Sequence, residues 1–305
     1  MGFVYTLTTL FAWGGADIFY KKSASEKDRY SHLKTAMIVG FVMGAHALFT
    51  LFKIGFDYNP RNLLIYLPVS AMYILSMTIG YLGLRYLELS ISSPIQNSSG
   101  AVTAVLCFLI LGTRISGLSL VGVILVSLGL VFLGILEKVY SDAAASKEKK
   151  YRTGAFALSL PVLYCIIDAL GTFFDAYYLD DVERSPLLGV TADNLEDIAN
   201  LSYELTFLLC ALVIFFILKC IKKEPLPIKD QGNREVAALL ETVGQATYVY
   251  ALSANPLVAA PVISTYSIIS LILSRIFLKE KLTKLQYLII GIVIAGIVIL
   301  GFEEI

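Results

Sequence analysis

Apolar runs of about 20 residues, each long enough to carry a helix across a bilayer, recur along the whole chain. A protein in water would have to hide every one of them, and this chain lacks the polar surface to do so. Of its 305 residues 57% are hydrophobic and only 16% charged, where a soluble domain carries about a quarter. Mean hydropathy is +0.75. A soluble enzyme and a disordered chain are excluded. Net charge is zero, so there is no basic surface for a polyanion and no nucleic-acid partner is expected. The composition is that of an integral, multi-pass membrane protein whose partner is the lipid bilayer. No stretch shows the dyad alternation of a membrane β-barrel, so the expected fold class is all-α.

Hydropathy places ten candidate helices at 2–20, 35–55, 63–84, 90–111, 117–137, 153–178, 199–221, 233–253, 257–278 and 284–303. The first lacks a basic flank and a small-residue cleavage site, so it is expected to remain as a span. Two connections are too polar to stay in hydrocarbon, where unpaired backbone groups are costly. One is 138–152; the other, 180–200, is acidic, with Asp180, Asp181, Glu183, Asp193, Glu196 and Asp197. Cys107, Cys165, Cys210 and Cys220 sit in or beside apolar runs and read as packing thiols. With His32 and His46 the only histidines, neither a metal site nor a cofactor is expected.

The chain repeats itself. At one constant offset Pro94 meets Pro261, Gly129 meets Gly296, Gly134 meets Gly301 and Glu137 meets Glu304. Leu111–Ser116 then falls on Leu278–Thr283. Five helices per copy is an odd number, so the second copy enters the membrane in the opposite sense. The expectation is two inverted five-helix repeats, 1–137 and 153–305, joined by the polar segment 138–152. Secondary transporters use this arrangement to alternate access around a central site. Small residues such as Gly122, Ser127, Gly129, Gly291 and Ala295 suit close helix contacts, either within the chain or across a homodimer face.

Charge inside hydrocarbon is expensive and marks function by default. The ionisable residues within the expected spans are Asp17, Asp168, Asp175, Glu204 and Glu241, with His46, and no Lys or Arg lies near the middle of any span. Either the carboxylates hold protons or a transported cation completes the pairing. Asp168 and Glu241 lie deepest, with Asp17 a turn past Trp13; Asp175 and Glu204, near helix ends, could equally reach water. Gln96 and Asn97 follow Pro94, while Ser264, Thr265 and Tyr266 follow Pro261. Polar, proline-marked segments at matching places in two halves point to a midplane site. The deep aromatics Trp13, Tyr73, Tyr248 and Tyr266 could hold an organic cation through their ring faces or a sugar through their hydroxyls. The expected substrate-binding set is Trp13, Asp17, Tyr73, Gln96, Asn97, Asp168, Glu241, Gln245, Tyr248, Ser264 and Tyr266. No catalytic constellation is present.

The sequence also resembles the drug/metabolite transporter superfamily, in particular its ten-helix EamA-type members. Phe11-Ala12-Trp13-Gly14-Gly15 is similar to the family's first helix, and Gly83-Leu84-Arg85-Tyr86-Leu87 and Tyr250-Ala251-Leu252-Ser253 to the ends of its third and eighth. The run from Phe277 through Leu282-Thr283 to Gly291 and Gly296 resembles the signature that closes each half. Thr113 stands where that signature has glutamate, which Glu280 keeps in the second copy, and Asp168 or a neighbour replaces a tryptophan of the sixth helix. The resemblance implies secondary transport of a small organic metabolite, cationic or polar and neutral, by proton coupling or exchange, in the plasma membrane of a bacterial-type cell. A receptor or scaffold that binds a ligand without moving it is the alternative.

The basic residues are sorted by side. Counting connections in order, the odd ones hold Lys21–Lys34, Arg85, Lys138–Arg152, Lys219–Arg234 and Arg275–Lys284, whereas the even ones hold only Lys53, Arg61, Arg114 and Arg184. The positive-inside rule makes the odd connections cytoplasmic and puts both termini outside; the family habit is both inside.

Overall fold

The computed structural model describes residues 2–303 apart from 26, 55, 113–116, 146–154, 227–230 and 279–282. These residues form ten helical stretches: α1 Gly2–Ser23, α2 Ser31–Lys53, α3 Leu67–Gly83, α4 from Leu89 to Leu111, α5 Gly117–Ala145, α6 Ala155–Leu179, α7 from Leu195 to Ile221, α8 Gly232–Ala254, α9 from Pro256 to Phe277 and α10 Lys284–Glu303. A single turn, Asn62–Ile65, precedes α3. Five helices are long and apolar enough to cross a membrane: Ser31–Lys53, Ser92–Leu111, Ser159–Leu179, Leu195–Ile221 and Pro256–Phe277. The protein is an all-α, multi-pass membrane protein.

Its surface carries that argument independently of length. Phe52 is 73% exposed, Leu109 69% and Val4 65%. Meanwhile Ser92, Ser93, Asn97, Ser267 and Ser270 are buried. Apolar outside and hydroxyl-rich inside is the pattern of a chain whose solvent is lipid.

Helix starts follow local chemistry. Pro68 and Pro256 open α3 and α9, where a missing N–H costs nothing. Glu196 and Asp197 stand in the first turn of α7, at the positive end of its dipole. The expected limits shift in places. α2 begins at Ser31 rather than 35, and α5 continues to Ala145, so the connection expected over 138–152 is helical in its first part. The rest of that connection lies outside the described residues, as do Thr113 to Ser116, Lys279 to Leu282 and Glu304.

The larger departure is that α4 and α9 are each interrupted. α4 runs as Leu89–Asn97 and Ser99–Leu106, followed by a wider turn over Cys107–Leu111; α9 runs as Pro256–Ser264 and Tyr266–Phe277. Pro94 and Pro261 lie inside the first segments and remove a backbone donor there. Four residues on, Ser98 Oγ donates to the Pro94 carbonyl at 3.0 Å and Thr265 Oγ1 to the Val262 carbonyl at 2.6 Å. Such back-bonding competes with the helical ladder and bends it.

α1 packs against α8 and α3 against α6; α2 packs on α7, α4 on α9 and α5 on α10. At the basic end, Lys34 Nζ bonds Glu224 at 3.3 Å and Asp28 at 3.0 Å, and Arg234 reaches the Ser23 carbonyl and Thr35 Oγ1, both at 3.2 Å. Lys21 donates to the Leu84 and Leu87 carbonyls at 2.8 and 2.6 Å. At the opposite end, Asn62 exchanges two hydrogen bonds with the Leu188 backbone, at 2.8 and 2.9 Å.

Candidate functional site

Where the interrupted helices pack together, the chain forms a partly open cavity. It leaves about 70 Å³ for the centre of a water-sized sphere, room for a few waters or a small organic group. α4 and α9 approach closely because residue 100 is glycine. A Cβ there would stand 2.6 Å from the Ala260 carbonyl oxygen and overlap the Ser264 hydroxyl.

Three carboxylates face the hollow. Asp17 Oδ2 accepts from Ser93 of α4 and Ser270 of α9, each at 2.7 Å, so one oxygen ties α1 to both interrupted helices. Asp168 Oδ2 accepts from Ser99 at 2.8 Å, and its other oxygen lies 3.5 Å from Ser76 Oγ. Glu241 Oε2 accepts from Tyr20 at 3.1 Å, and the Glu241 carbonyl accepts from the Trp13 indole at 3.3 Å. Hydroxyls orient all three. No Lys, Arg or His lines the cavity among the described residues.

Aromatic rings make the rest of the wall. Trp13 sits 5.1 Å from Tyr248, tilted, and 5.8 Å from Tyr266, edge-on. Tyr73 shares hydrogen bonds with Tyr248 at 2.7 Å and with Thr172 at 2.8 Å. Tyr20 and Tyr81 pack 4.6 Å apart beside Glu241. An electron-rich box with carboxylates and no fixed cation attracts positive charge.

All eleven residues expected from the sequence line this one cavity. Their availability differs. Asn97 Nδ2 is spent on the Ser93 carbonyl at 2.9 Å and Ser93 Oγ at 3.2 Å, whereas Gln96 Nε2 is buried with no partner among the described residues. Gln245 reaches Asn200 at 3.5 Å. Thr265 is buried outside the lining. Glu204 and Asp175, which could have reached water from helix ends, are instead buried and paired within the protein. Glu204 meets His46 Nδ1 at 2.8 Å, between α7 and α2 and away from the cavity; Asp175 accepts from Tyr66.

Tyr20, Tyr81, Tyr164, Tyr203, Ser99 and Thr172 also line the cavity and were not anticipated. A signal for one of them was available. Trp13 precedes Asp17 by four residues, and Tyr164 precedes Asp168 by four, which puts ring and carboxylate on one helix face in α1 and again in α6. Among the described residues no group of three or more His, Cys, Asp or Glu could hold a metal ion.

The family model described as the EamA-like transporter family matches residues 1–135 and 194–302. The chain belongs to that family, within the drug/metabolite transporter superfamily. EamA-like proteins are transporters and not enzymes. The unmatched stretch, 136–193, contains α6 and therefore Asp168, Thr172 and Asp175. No protein of curated description matches the chain. A protein known from a crystal structure shares the fold with a TM-score of 0.66 over 99% of this EamA-like chain and 97% of its own, at 11% identity, a likeness of fold alone.

Proposed function

We propose that this EamA-like protein is a secondary active transporter of a small organic solute, cationic or polar and neutral, coupled to protons or to exchange. The observation that carries the reading is the cavity itself: three hydroxyl-oriented carboxylates and a ring of aromatics, with no fixed cation among the described residues, between two interrupted helices. Asp168 and Glu241 are the groups that respond to a proton or a bound cation. Trp13, Asp17, Gln96, Asn97, Gln245, Ser264 and the tyrosines 73, 248 and 266 shape the solute's pocket.

The motion is a rocking of two inverted five-helix copies, α1–α5 and α6–α10. What supports it is the packing list: exchanging each helix for the one five places on leaves α1–α8 with α3–α6, α2–α7, α4–α9 and α5–α10 unchanged. One family model also matches a stretch in each copy. In this conformation bonds between the copies lie on both sides of the cavity. Tyr20–Glu241, Lys34–Glu224 and Arg234–Thr35 stand toward the basic end, and Tyr73–Tyr248 and Asn62–Leu188 toward the other. Opening either way releases one set and keeps the other. The basic end is cytoplasmic, in the plasma membrane of a bacterial-type cell.

A thermal-shift screen of the purified protein against amines, amino acids, sugars and nucleosides tests the pocket. Amines and polar neutral solutes raise the melting temperature and phosphorylated solutes do not. Stabilisation by phosphorylated solutes alone would remove the reading.

A further inference from the structure

Asp175 has no part in the cavity. It stands on α6 with no exposed surface, one oxygen accepting from the Tyr66 hydroxyl and the other, Oδ2, buried with no hydrogen-bond partner among the described residues. We infer that Asp175 is a proton-binding site separate from the solute cavity, occupied by a proton in this conformation and set one helical turn from the cavity-lining Thr172.

The argument begins with what surrounds the carboxyl. Tyr66 precedes α3, Tyr73 stands on α3, Tyr203 on α7 and Tyr248 on α8, and each senses Asp175 electrostatically. Its own helix adds Asp168 and Tyr178; α4, which also packs on α6, carries Cys107 as its titratable side chain. None of these is a cation. An ionised carboxylate here would be a buried charge with one bare oxygen, far more costly than a neutral acid with one unsatisfied O–H. The neutral form fits the contacts, with Oδ1 as the carbonyl that accepts from Tyr66 and Oδ2 as the oxygen that bears the proton.

Placement gives the site its use. Asp168, Thr172 and Asp175 follow at i, i+4 and i+7, on one face of α6. Asp168 and Thr172 line the cavity; Asp175 lies one turn beyond Thr172, whose hydroxyl shares a hydrogen bond with Tyr73, itself bonded to Tyr248. A tilt of α3 against α6 that broke those bonds would let cavity water reach Asp175, where the proton leaves and the carboxylate becomes hydrated. Asp175 then releases a further proton in step with the proton or cation to which Asp168 and Glu241 respond. That use in coupling rests on the transport reading; the proton site itself does not.

Infrared spectroscopy of the full chain in lipid, with no solute added, tests it. At neutral pH the wild type shows the carbonyl stretch of a protonated carboxylic acid. Asp175→Asn removes one component of that band while Asp168→Asn and Glu241→Gln leave that component in place, and Tyr66→Phe shifts its frequency without abolishing it. A band unchanged in Asp175→Asn, or one with no component moved in Tyr66→Phe, overturns the assignment. If instead the band behaves as stated and no solute is carried, the transport reading fails and the proton site stands.

Discussion

Ser98 and Thr265 interrupt their helices in the same way. Each amide donates to the carbonyl three residues back, Ser98 to Ile95 at 3.3 Å and Thr265 to Val262 at 3.0 Å, and the next turn restarts with Ala101 bonding Ser98 and Ile268 bonding Thr265. The two lie as far apart in the chain as Pro94 and Pro261, so the break falls at one place in the proposed repeat. A proline removes a donor, a hydroxyl four residues on takes up a nearby carbonyl, and the helix resets. The cavity opens where both breaks meet.

That crossing depends on Gly100. Gly100→Ala places a methyl group into the Ala260 carbonyl and the Ser264 side chain, and overpacking of this kind costs about 1–3 kcal/mol. The expected result is a lowered melting temperature of the purified protein and weaker ligand binding. An unchanged melting curve would mean that α4 and α9 are not held so closely.

Gly296 and Gly291, both on α10, separate internal packing from an outer face. A Cβ on Gly296 meets Val126 at 2.9 Å and the Gly122 carbonyl at 3.0 Å, while Gly291 has nothing within 4 Å. Gly296→Leu therefore destabilises the protein by about 1–3 kcal/mol through the α5–α10 contact, and Gly291→Leu leaves the monomer's melting temperature unchanged. If Gly291→Leu changes the elution volume in detergent instead, the open stripe with Ala295 is a contact between copies.

Asp17 is oriented by two serines from different helices. Removing both donors with Ser93→Ala and Ser270→Ala leaves Asp17 Oδ2 without either serine, at a cost of about 1–3 kcal/mol for each lost bond. Ligand affinity should fall in the double variant by more than the product of the two single effects, because both act on Oδ2. Isothermal titration of the four proteins checks this; independent effects would show that Asp17 is not the shared element.

Trp13 supplies a ring face and an indole donor. Trp13→Phe keeps a smaller face and loses the bond to the Glu241 carbonyl. Binding of an organic cation should weaken by about 1 kcal/mol, roughly fivefold, with a smaller loss for a neutral solute. Equal losses for both would show that the ring serves packing alone.

The elements that could be read from sequence were those that obey one physical rule at a time. Bilayer thickness sets span length, so the ten helical stretches of the described residues lie close to the limits read from the sequence. The cost of buried charge singled out Asp17, Asp168, Asp175, Glu204 and Glu241, of which Asp17, Asp168 and Glu241 line the cavity. Helix interruptions were less legible, because Ser98 and Thr265 are ordinary in apolar helices and only the geometry after Pro94 and Pro261 shows their back-bonding. Partners across the bundle were illegible for the same reason. Nothing in the sequence says that Glu204 meets His46, that Asp175 turns inward to Tyr66, or that Asn97 spends its amide on Ser93. Tyr20 and Tyr81 were hidden among 18 tyrosines, since ring residues serve core and cavity alike.

Solute flux into proteoliposomes tests the central claim most directly, with a ligand chosen by its thermal shift. The account predicts that wild-type protein carries the ligand to the far side of the bilayer, and that Asp168→Asn and Glu241→Gln bind it yet lose accumulation driven by an imposed proton gradient. Ligand that binds to the wild type and never crosses would contradict the account and leave a membrane receptor in its place.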